Sequence, residues 1–221
     1  ALSIHQQQQM LAERQNAWQH SAKQLSTLQR LEKRPYFARV DFQEPNEDPE
    51  TIYIGLGSFA DKEDHFLIYD WRAPISSIYY DGKLGKVSYN APDGVQTVDM
   101  TKKRQFLIED GKITNMFDTN ESIGDQMLLN VLNEKSSTQM KSIVTTIQRE
   151  QNKIIRNTSA DLLFVQGAAG SGKTSAIMQR VAYLLYRYRG NLTSSDVIMF
   201  SPNQLFNDYV KNVLPEMGEQ N

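Results

Sequence analysis

Residues Gly167–Thr174 constrain the fold of this chain more than any other segment. They read Gly-Ala-Ala-Gly-Ser-Gly-Lys-Thr and match the pattern G-x-x-x-x-G-K-[ST], the phosphate loop. The short apolar run Asp161–Gln166 precedes the loop, and Val197–Phe200 is a second such run. Between them lies a helical pattern, with apolar residues at Ile177, Val181, Leu184 and Leu185. The order strand, loop, helix, strand predicts a βαβ unit on buried parallel strands.

The loop pattern predicts nucleotide binding. Its glycines let backbone N–H groups approach phosphates, and the helix that starts there directs its positive dipole end toward them. Lys173 offers a positive charge to the β and γ phosphates and Thr174 a hydroxyl to Mg²⁺, so both are candidate catalytic residues and Thr174 is the candidate metal ligand. The candidate cofactor-binding residues are Gln151, Gly167, Ala168, Ala169, Gly170, Ser171, Gly172, Lys173, Thr174 and Ser175. The alternative, a chance cluster, is expected in roughly one chain per hundred of this length.

Gln151 indicates which nucleotide the loop holds. It lies sixteen residues before Gly167, on a predicted helix that we expect to pack beside the loop. A side-chain amide can pair with the N6 and N7 edge of adenine, which guanine does not offer. The alternative is an ordinary surface glutamine, because Gln148 and Asn152 lie close by in the same segment. ATP with Mg²⁺ is therefore the expected cofactor.

The N-terminal part predicts one long polar helix over residues 6–34, which Pro35 ends. Its thin apolar seam consists of Leu11, Trp18, Leu25, Leu28 and Leu31. Such a seam indicates one arm of a helical hairpin or coiled coil. Because the chain begins inside this pattern, we expect the natural protein to extend upstream.

Residues 36–118 predict a small antiparallel sheet or barrel. The predicted strands are Tyr36–Phe42, Thr51–Phe59, Phe66–Trp71, Ile75–Tyr80, Lys86–Asn90, Val95–Met100, Gln105–Glu109 and Lys112–Phe117. Three dipeptides are hairpin signals: Asp81-Gly82, Asp93-Gly94 and Asp110-Gly111. From Thr119 a helical period begins, with Ile123, Met127 and Val131 on one face. We therefore divide the chain into residues 1–35, 36–118 and 119–221.

Composition excludes several classes of site. The chain has no Cys, which rules out disulfides, thiolate zinc sites, iron–sulfur clusters and Cys nucleophiles, and its three His residues lack metal-ligand spacing. No apolar run reaches the ~18 residues of a membrane span and the polar start is no signal peptide, so we expect an intracellular soluble protein. Residues 36–118 carry 9 basic and 15 acidic side chains, a net charge of −6. That charge argues against nucleic acid lying across them, and leaves either a solvated surface or a protein-docking face.

The motifs together resemble superfamily 1 helicases of the UvrD/Rep type. The likeness rests on Gln151, the phosphate loop, Arg180 on the next helix, and Val197–Phe200 running into Ser201-Pro-Asn203. More narrowly, the chain resembles HelD-like proteins, bacterial ATPases associated with RNA polymerase, in Phe66–Ser77, Lys103–Phe106, Gln139–Ser142, Ile147–Gln151 and Arg180–Arg189. The most specific stretch is Asp70-Trp-Arg-Ala-Pro74.

The resemblance implies the N-terminal fragment of an ATP-dependent DNA helicase or translocase that releases or recycles RNA polymerase from DNA in the bacterial cytoplasm. Residues 1–34 would be the trailing end of an arm that enters the polymerase's secondary channel. Residues 36–118 would be a family-specific module, and residues 119–221 the first part of a RecA-like P-loop α/β domain. The implied partners are RNA polymerase and single-stranded DNA, the latter through Ser201 and Asn203. Capping of a helix near Leu205 is the alternative role for Asn203.

The family's later motifs do not occur in this chain. It has no Asp-Glu strand end for the metal-organising and water-activating carboxylates and none of the later arginine motifs, so we expect the fragment to bind ATP without turning it over. Two other functions remain open: a DNA-unwinding repair helicase of UvrD type and a non-motor P-loop kinase or switch. The spacing of Gln151 and the lack of a kinase-like lid favour the motor.

Two aromatic groups have competing interpretations. Trp71, beside Ala73-Pro74, is either a polymerase contact or part of a packed corner, and we favour the packed corner. Tyr183, Tyr186 and Tyr188 lie near Arg187 and Arg189, a combination that also suits nucleic-acid binding. Their helical spacing favours a face that is half core and half surface.

Overall fold

The long N-terminal helix α1 spans Ile4–Lys33, as the sequence predicts. The computed structural model describes residues 4–81, 83–118, 147, 149–169 and 172–200. Leu11, Trp18 and Leu25 of the seam are all more than half exposed, whereas Leu31 is buried and lines a cavity together with Tyr53 and Ile68 of the sheet-forming part. Among the described residues the N-terminal part of the seam thus has no packing partner, and the hairpin or coiled coil stays a prediction. None of the described helices is long and apolar enough to cross a membrane.

The described residues of the middle part form a seven-stranded sheet. Its strands are β1 (Ala38–Gln43), β2 (Glu50–Gly55), β3 (Phe59–Lys62), β4 (His65–Asp70), β5 (Gly85–Ala91), β6 (Gly94–Glu109) and β7 (Lys112–Asp118). The order is β3-β4-β2-β1-β6, with β5 and β7 both paired to β6. The expectation of a purely antiparallel sheet is wrong at one pair, because β2 and β4 run parallel. The chain leaves β2, turns back through the edge strand β3, and returns as β4 between the two.

Two other strand predictions differ from the structure. Ile75–Tyr80, a predicted strand, is a 3₁₀ turn at Pro74–Ser76 followed by the short helix α2, Ser77–Asp81. The consecutive residues Ser76–Tyr80 are all buried, so the alternating exposure of a half-buried strand is not possible there. Val95–Met100 and Gln105–Glu109 are parts of the single strand β6, because Lys102–Arg104 continue to pair with β1 beyond a bulge at Thr101.

The three hairpin signals have different outcomes. Asp110-Gly111 forms the β6–β7 turn, with φ of 47° and 74°, as a two-residue turn of this type requires. In the β5–β6 hairpin the paired residues are Ala91 and Gly94, so the turn lies one residue earlier than predicted. Asp81 ends α2 instead of starting a hairpin, and Gly82 lies outside the described residues.

Two further helices pack on this part of the chain. They are α3 (Arg149–Arg156) and α4 (Lys173–Arg187). One hydrophobic cluster joins the sheet residues Val40 and Ile54 to Trp71 and Tyr79, and includes Ile155 of α3 with Met178, Ala182 and Tyr183 of α4. The helices around the phosphate loop therefore share a core with the β-rich part.

Neither of the two predicted parallel strands is formed in the part of the chain that the structure describes. Asp161–Gln166 and Val197–Phe200 have no strand pairing among the described residues, and Phe164 and Phe200 are 85% and 93% exposed. An apolar run indicates a tendency to be buried, but a strand also needs a hydrogen-bonded neighbour, and the described residues supply none. The predicted start of a RecA-like parallel sheet is therefore not confirmed by the described residues and stays a prediction. The helical period beginning at Thr119 lies outside the described residues up to residue 146.

Candidate nucleotide-binding site

The N-terminus of α4 forms one side of the candidate site. Gly172 precedes it with φ 86° and ψ 18°, a left-handed conformation that glycine adopts without strain. Its carbonyl accepts the helix's first hydrogen bond, from Ala176 N at 2.9 Å, and no side-chain hydrogen bond caps this end. The first N–H groups of a 15-residue helix are thus left for an anion to bind.

The ammonium group of Lys173 is hydrogen-bonded to the loop. Lys173 Nζ donates to the carbonyl oxygens of Gly167 at 2.5 Å and Ala168 at 2.7 Å. The residues Gly167, Ala168 and Ala169 are exposed, whereas Gly170 and Ser171 lie outside the described residues. The positive charge of Lys173 therefore lies beside the loop, at the N-terminus of α4.

The magnesium prediction depends on Thr174. Thr174 is exposed in the first turn of α4, and Ser175 is half-buried beside it. Among the described residues no group of three His, Cys, Asp or Glu could hold a metal ion. A hydroxyl at an uncapped helix N-terminus fits the usual way in which Mg²⁺ binds, with one protein ligand, the substrate's phosphates and several waters.

Gln151 lies next to the loop, on α3. Its side-chain Nε2 is 2.6 Å from the position that a Cβ atom would occupy on Gly172. The structure thus brings together Gln151 and Gly172, which are 21 positions apart in the chain. The arrangement allows one ligand to contact an amide on α3 and the N-terminus of α4; the adenine role of Gln151 stays a prediction.

Arg180 connects the two helices directly. Arg180 Nη1 donates to the carbonyl oxygens of Ile154 at 2.9 Å and Asn157 at 2.5 Å, at the C-terminal end of α3. A guanidinium suits this end of a helix, because the last carbonyls lack intrahelical partners and carry negative partial charge. Arg180, one of the residues that carry the resemblance to superfamily 1 helicases, therefore positions α3 against α4.

Residues 70–76, here called the corner, connect the sheet to both helices. Trp71 in the corner is completely buried, which confirms the prediction that it is part of a packed core. Arg72 is also buried and forms a two-pronged ion pair with Asp70, with Nε and Nη2 each 2.9 Å from a carboxylate oxygen. Arg72 Nη1 also donates to the carbonyl of Ala182 on α4 at 3.3 Å, and its guanidinium lies 4.8 Å from the ring centre of Tyr186.

Arg156 connects the corner to α3. It donates from Nη2 to the carbonyl of Trp71 at 2.6 Å and from Nη1 to those of Arg72 and Ala73 at 3.3 and 3.2 Å. Sequence reasoning missed Arg156 and its neighbour Asn152, which accepts a hydrogen bond from Arg156 Nε and donates one to Asp81. The only signal in the sequence was weak: Asn152 and Arg156 are four residues apart on a predicted helix, a spacing at which two polar side chains can bond to each other.

Lys103 on β6 is a charged residue buried in the shared core, which is unusual for a lysine. It is 1% exposed, with Nζ 5.2 Å from the ring centre of Tyr79. Burial lowers the pKa of the Lys103 ammonium to about 8, and the nearby Asp81 only partly offsets that effect.

Tyr183 and Tyr186 in α4, and Tyr188 directly after it, lie as the helical spacing predicts. Tyr183 is buried with the guanidinium of Arg156 5.2 Å from its ring centre, Tyr186 is partly buried between arginines, and Tyr188 is 41% exposed. The candidate nucleic-acid residues Ser201 and Asn203 lie outside the described residues.

Comparison with known proteins gives two family matches. Residues 3–135 match the family described as DNA helicase IV HelD, N-terminal domain. Residues 147–201, which include Gln151 and the loop, match the UvrD/REP helicase N-terminal domain. No curated protein matches the chain. Because the first match covers more than half of the 221 residues, the chain belongs to the HelD family of DNA helicase IV proteins, as an N-terminal fragment of a UvrD-type helicase.

Proposed function

We propose that this chain binds ATP with Mg²⁺ as the N-terminal part of a HelD-type motor. The observation that carries the proposal is the contact between Gln151 and Gly172, which sets an amide beside the uncapped N-terminus of α4. The phosphates bind the helix N-terminus and Lys173, the adenine edge pairs with Gln151, and Mg²⁺ binds Thr174 together with the phosphates. ATP hydrolysis by the complete protein supplies the free energy for its work.

Nucleotide titration of the 221-residue chain with Lys173→Ala and Gln151→Ala variants tests this proposal. Lys173→Ala should remove most of the affinity for ATP and GTP alike, because Lys173 interacts with phosphate charge. Gln151→Ala should mainly reduce the preference for ATP over GTP, because its amide faces a base edge. Equal loss of ATP and GTP binding in Gln151→Ala would contradict the adenine assignment, and wild-type protein that binds neither nucleotide would contradict the whole proposal.

We infer that the work of the complete protein is to release or recycle RNA polymerase from DNA, in the bacterial cytoplasm. Two observations support this inference: membership of the HelD family and the net charge of −6 on residues 36–118. Phosphate contacts require several Lys or Arg, whereas an acidic surface can complement a basic protein surface and speed its encounter. The β-rich part then docks on polymerase, and single-stranded DNA contacts Ser201 and Asn203 and other parts of the motor.

A pull-down of core RNA polymerase, beside a DNA-binding titration at matched salt, tests the docking proposal. The whole chain is the appropriate sample, because the sheet shares its core with α3 and α4. We expect weak retention of polymerase, since one contact lacks the gain in affinity that linked contacts provide. Tight DNA binding without polymerase retention would instead favour a DNA-unwinding helicase of UvrD type, which the match over residues 147–201 also supports.

A further inference from the structure

The two halves of the candidate site lie on separate helices. Gln151 is on α3, which has only eight residues, and Lys173 begins α4. A helix this short is not stable alone, so its position depends on what holds it. Recognition of a base edge needs hydrogen-bond distances within a few tenths of an ångström, and therefore a fixed distance between α3 and α4.

Arg156 fixes α3 on the corner. Its guanidinium donates to three successive carbonyls, those of Trp71, Arg72 and Ala73, and to the Oδ1 of Asn152. Asn152, the residue next to Gln151, donates to Asp81 Oδ1 at 2.9 Å. The polar side chains of α3 on either side of Ile155 are thus bonded to the β-rich part, while Arg180 bonds the end of α3 to α4.

Arg72 fixes α4 on the same corner. Its donation to Ala182 O and its stacking near Tyr186 reach the second half of α4, and its ion pair with Asp70 holds the guanidinium in place. Arg156 donates to the carbonyl of Arg72 itself. Both helices are therefore positioned by adjacent residues of one buried turn, Trp71 to Ala73.

We propose that Arg156 and Arg72 are positioning residues for nucleotide selectivity: they hold α3 and α4 on the corner, so that Gln151 stays beside the phosphate loop. This proposal rests on the proposed ATP binding. Phosphates contact α4 and the loop alone, whereas the base contacts Gln151 on α3. Loss of Arg156 therefore affects recognition of the base much more than binding of the triphosphate.

The test compares Mg²⁺-dependent binding of ATP, GTP and inorganic tripolyphosphate by calorimetry, using the whole chain. In Arg156→Gln we expect the ATP-to-GTP preference to fall about tenfold, as for a lost base contact, with tripolyphosphate affinity within about twofold of wild type. The ATP-to-GTP preference of Arg156→Lys should lie between those of wild type and Arg156→Gln, because an ammonium keeps the charge but cannot reproduce a planar set of donors to three carbonyls. Arg104→Gln is the matched control: it removes an arginine's ion pair, with Asp118, and Arg104 has no hydrogen bond or ion pair with α3 or α4.

Two results would overturn the proposal. The first is an unchanged ratio of ATP to GTP affinity in Arg156→Gln compared with wild type. The second is an equal loss of tripolyphosphate and ATP affinity in that variant, which would indicate general disruption of the loop. If Arg156→Gln does not fold, Arg156→Lys and Arg72→Lys are judged by the same ratio. Wild-type protein that binds no nucleotide would contradict the proposed function, and is a separate outcome from a failure of these variants.

Discussion

The side chain of Gln151 lies against Gly172, with its Nε2 2.6 Å from the position of a Cβ atom on that glycine. No real side chain fits at that distance without displacing the amide. Gly172 also has a φ of 86°, which residues with a Cβ rarely adopt. The identity of the residue before Lys173 is therefore set by backbone conformation and by the neighbouring helix together.

Gly172→Ala should lower both stability and selectivity. We expect a loss of about 1–2 kcal/mol from backbone strain, together with a reduced ATP-to-GTP preference because Gln151 is displaced. Gly190→Ala is the control, since Gly190 has a φ of 93° with nothing within 4 Å of its Cβ position. In the double variant with Gln151→Ala the effects should not add, with a coupling above about 0.5 kcal/mol in a double-mutant cycle. Simple additivity would show that the contact is absent in solution.

Breaking the buried ion pair of the corner should lower the free energy of unfolding much more than breaking a similar pair at the surface. Asp70→Ala leaves the Arg72 guanidinium buried without its carboxylate, and we expect a loss of about 3–5 kcal/mol in urea unfolding. Asp41→Ala breaks the partly exposed pair of Arg39 and Asp41 and should cost about 1 kcal/mol or less. Similar losses in the two variants would mean that Asp70 is not buried as described.

The 221-residue chain should bind ATP with Mg²⁺ but hydrolyse it only at the background rate. Its sequence has a phosphate loop without an Asp-Glu strand end or later arginine motifs, so we expect no residue of it to activate water or to stabilise the transferring phosphate. A phosphate-release assay with Lys173→Ala as the blank measures this. Multiple turnovers above that blank would show that the chain supplies these groups from residues other than the expected motifs.

Local signals predicted several parts of this structure well. The helix α1, most strands, the Asp110-Gly111 turn and the burial of Trp71 all follow from periodicity, turn chemistry or side-chain size. The helix that brings Gln151 next to the loop was also predicted. Each of these depends on residues close in sequence, where propensity and pattern carry the information.

The features that could not be predicted depend on contacts between residues distant in sequence, which leave no local signal. Arg156 and Trp71 are 85 residues apart, and the acceptors of the guanidinium are backbone carbonyls, which every residue type possesses. The parallel pairing of β2 with β4 is likewise set by the path of the chain through β3. The apolar runs at Asp161–Gln166 and Val197–Phe200 misled the strand prediction because hydrophobicity does not say which strand pairs with them.

Lys103 should make the stability of the chain depend on pH between about 8 and 9.5. Its pKa is lowered to about 8 in the folded protein, so above that value the folded state loses a proton that the unfolded chain still holds. The unfolded state then binds more protons, and the free energy of unfolding rises with pH by up to about 1.4 kcal/mol per unit. Burial raises the pKa of Tyr79 and Tyr80 far above the ordinary value, which opposes this trend only above about pH 10, where unfolded tyrosines ionise.

Lys103→Met isolates this effect, because it keeps the length of the side chain and removes the charge. We expect the variant to be more stable than wild type by about 1–3 kcal/mol at pH 7, where the buried ammonium is charged, and the difference to shrink by about 2 kcal/mol at pH 9.5. Urea unfolding at pH 7, 8, 9 and 9.5 measures both curves. Lys86→Met, at an exposed lysine on β5, is the control and should change the free energy of unfolding by no more than about 0.5 kcal/mol. A difference between Lys103→Met and wild type that stays constant across these pH values would show that the Lys103 ammonium is not buried in the core.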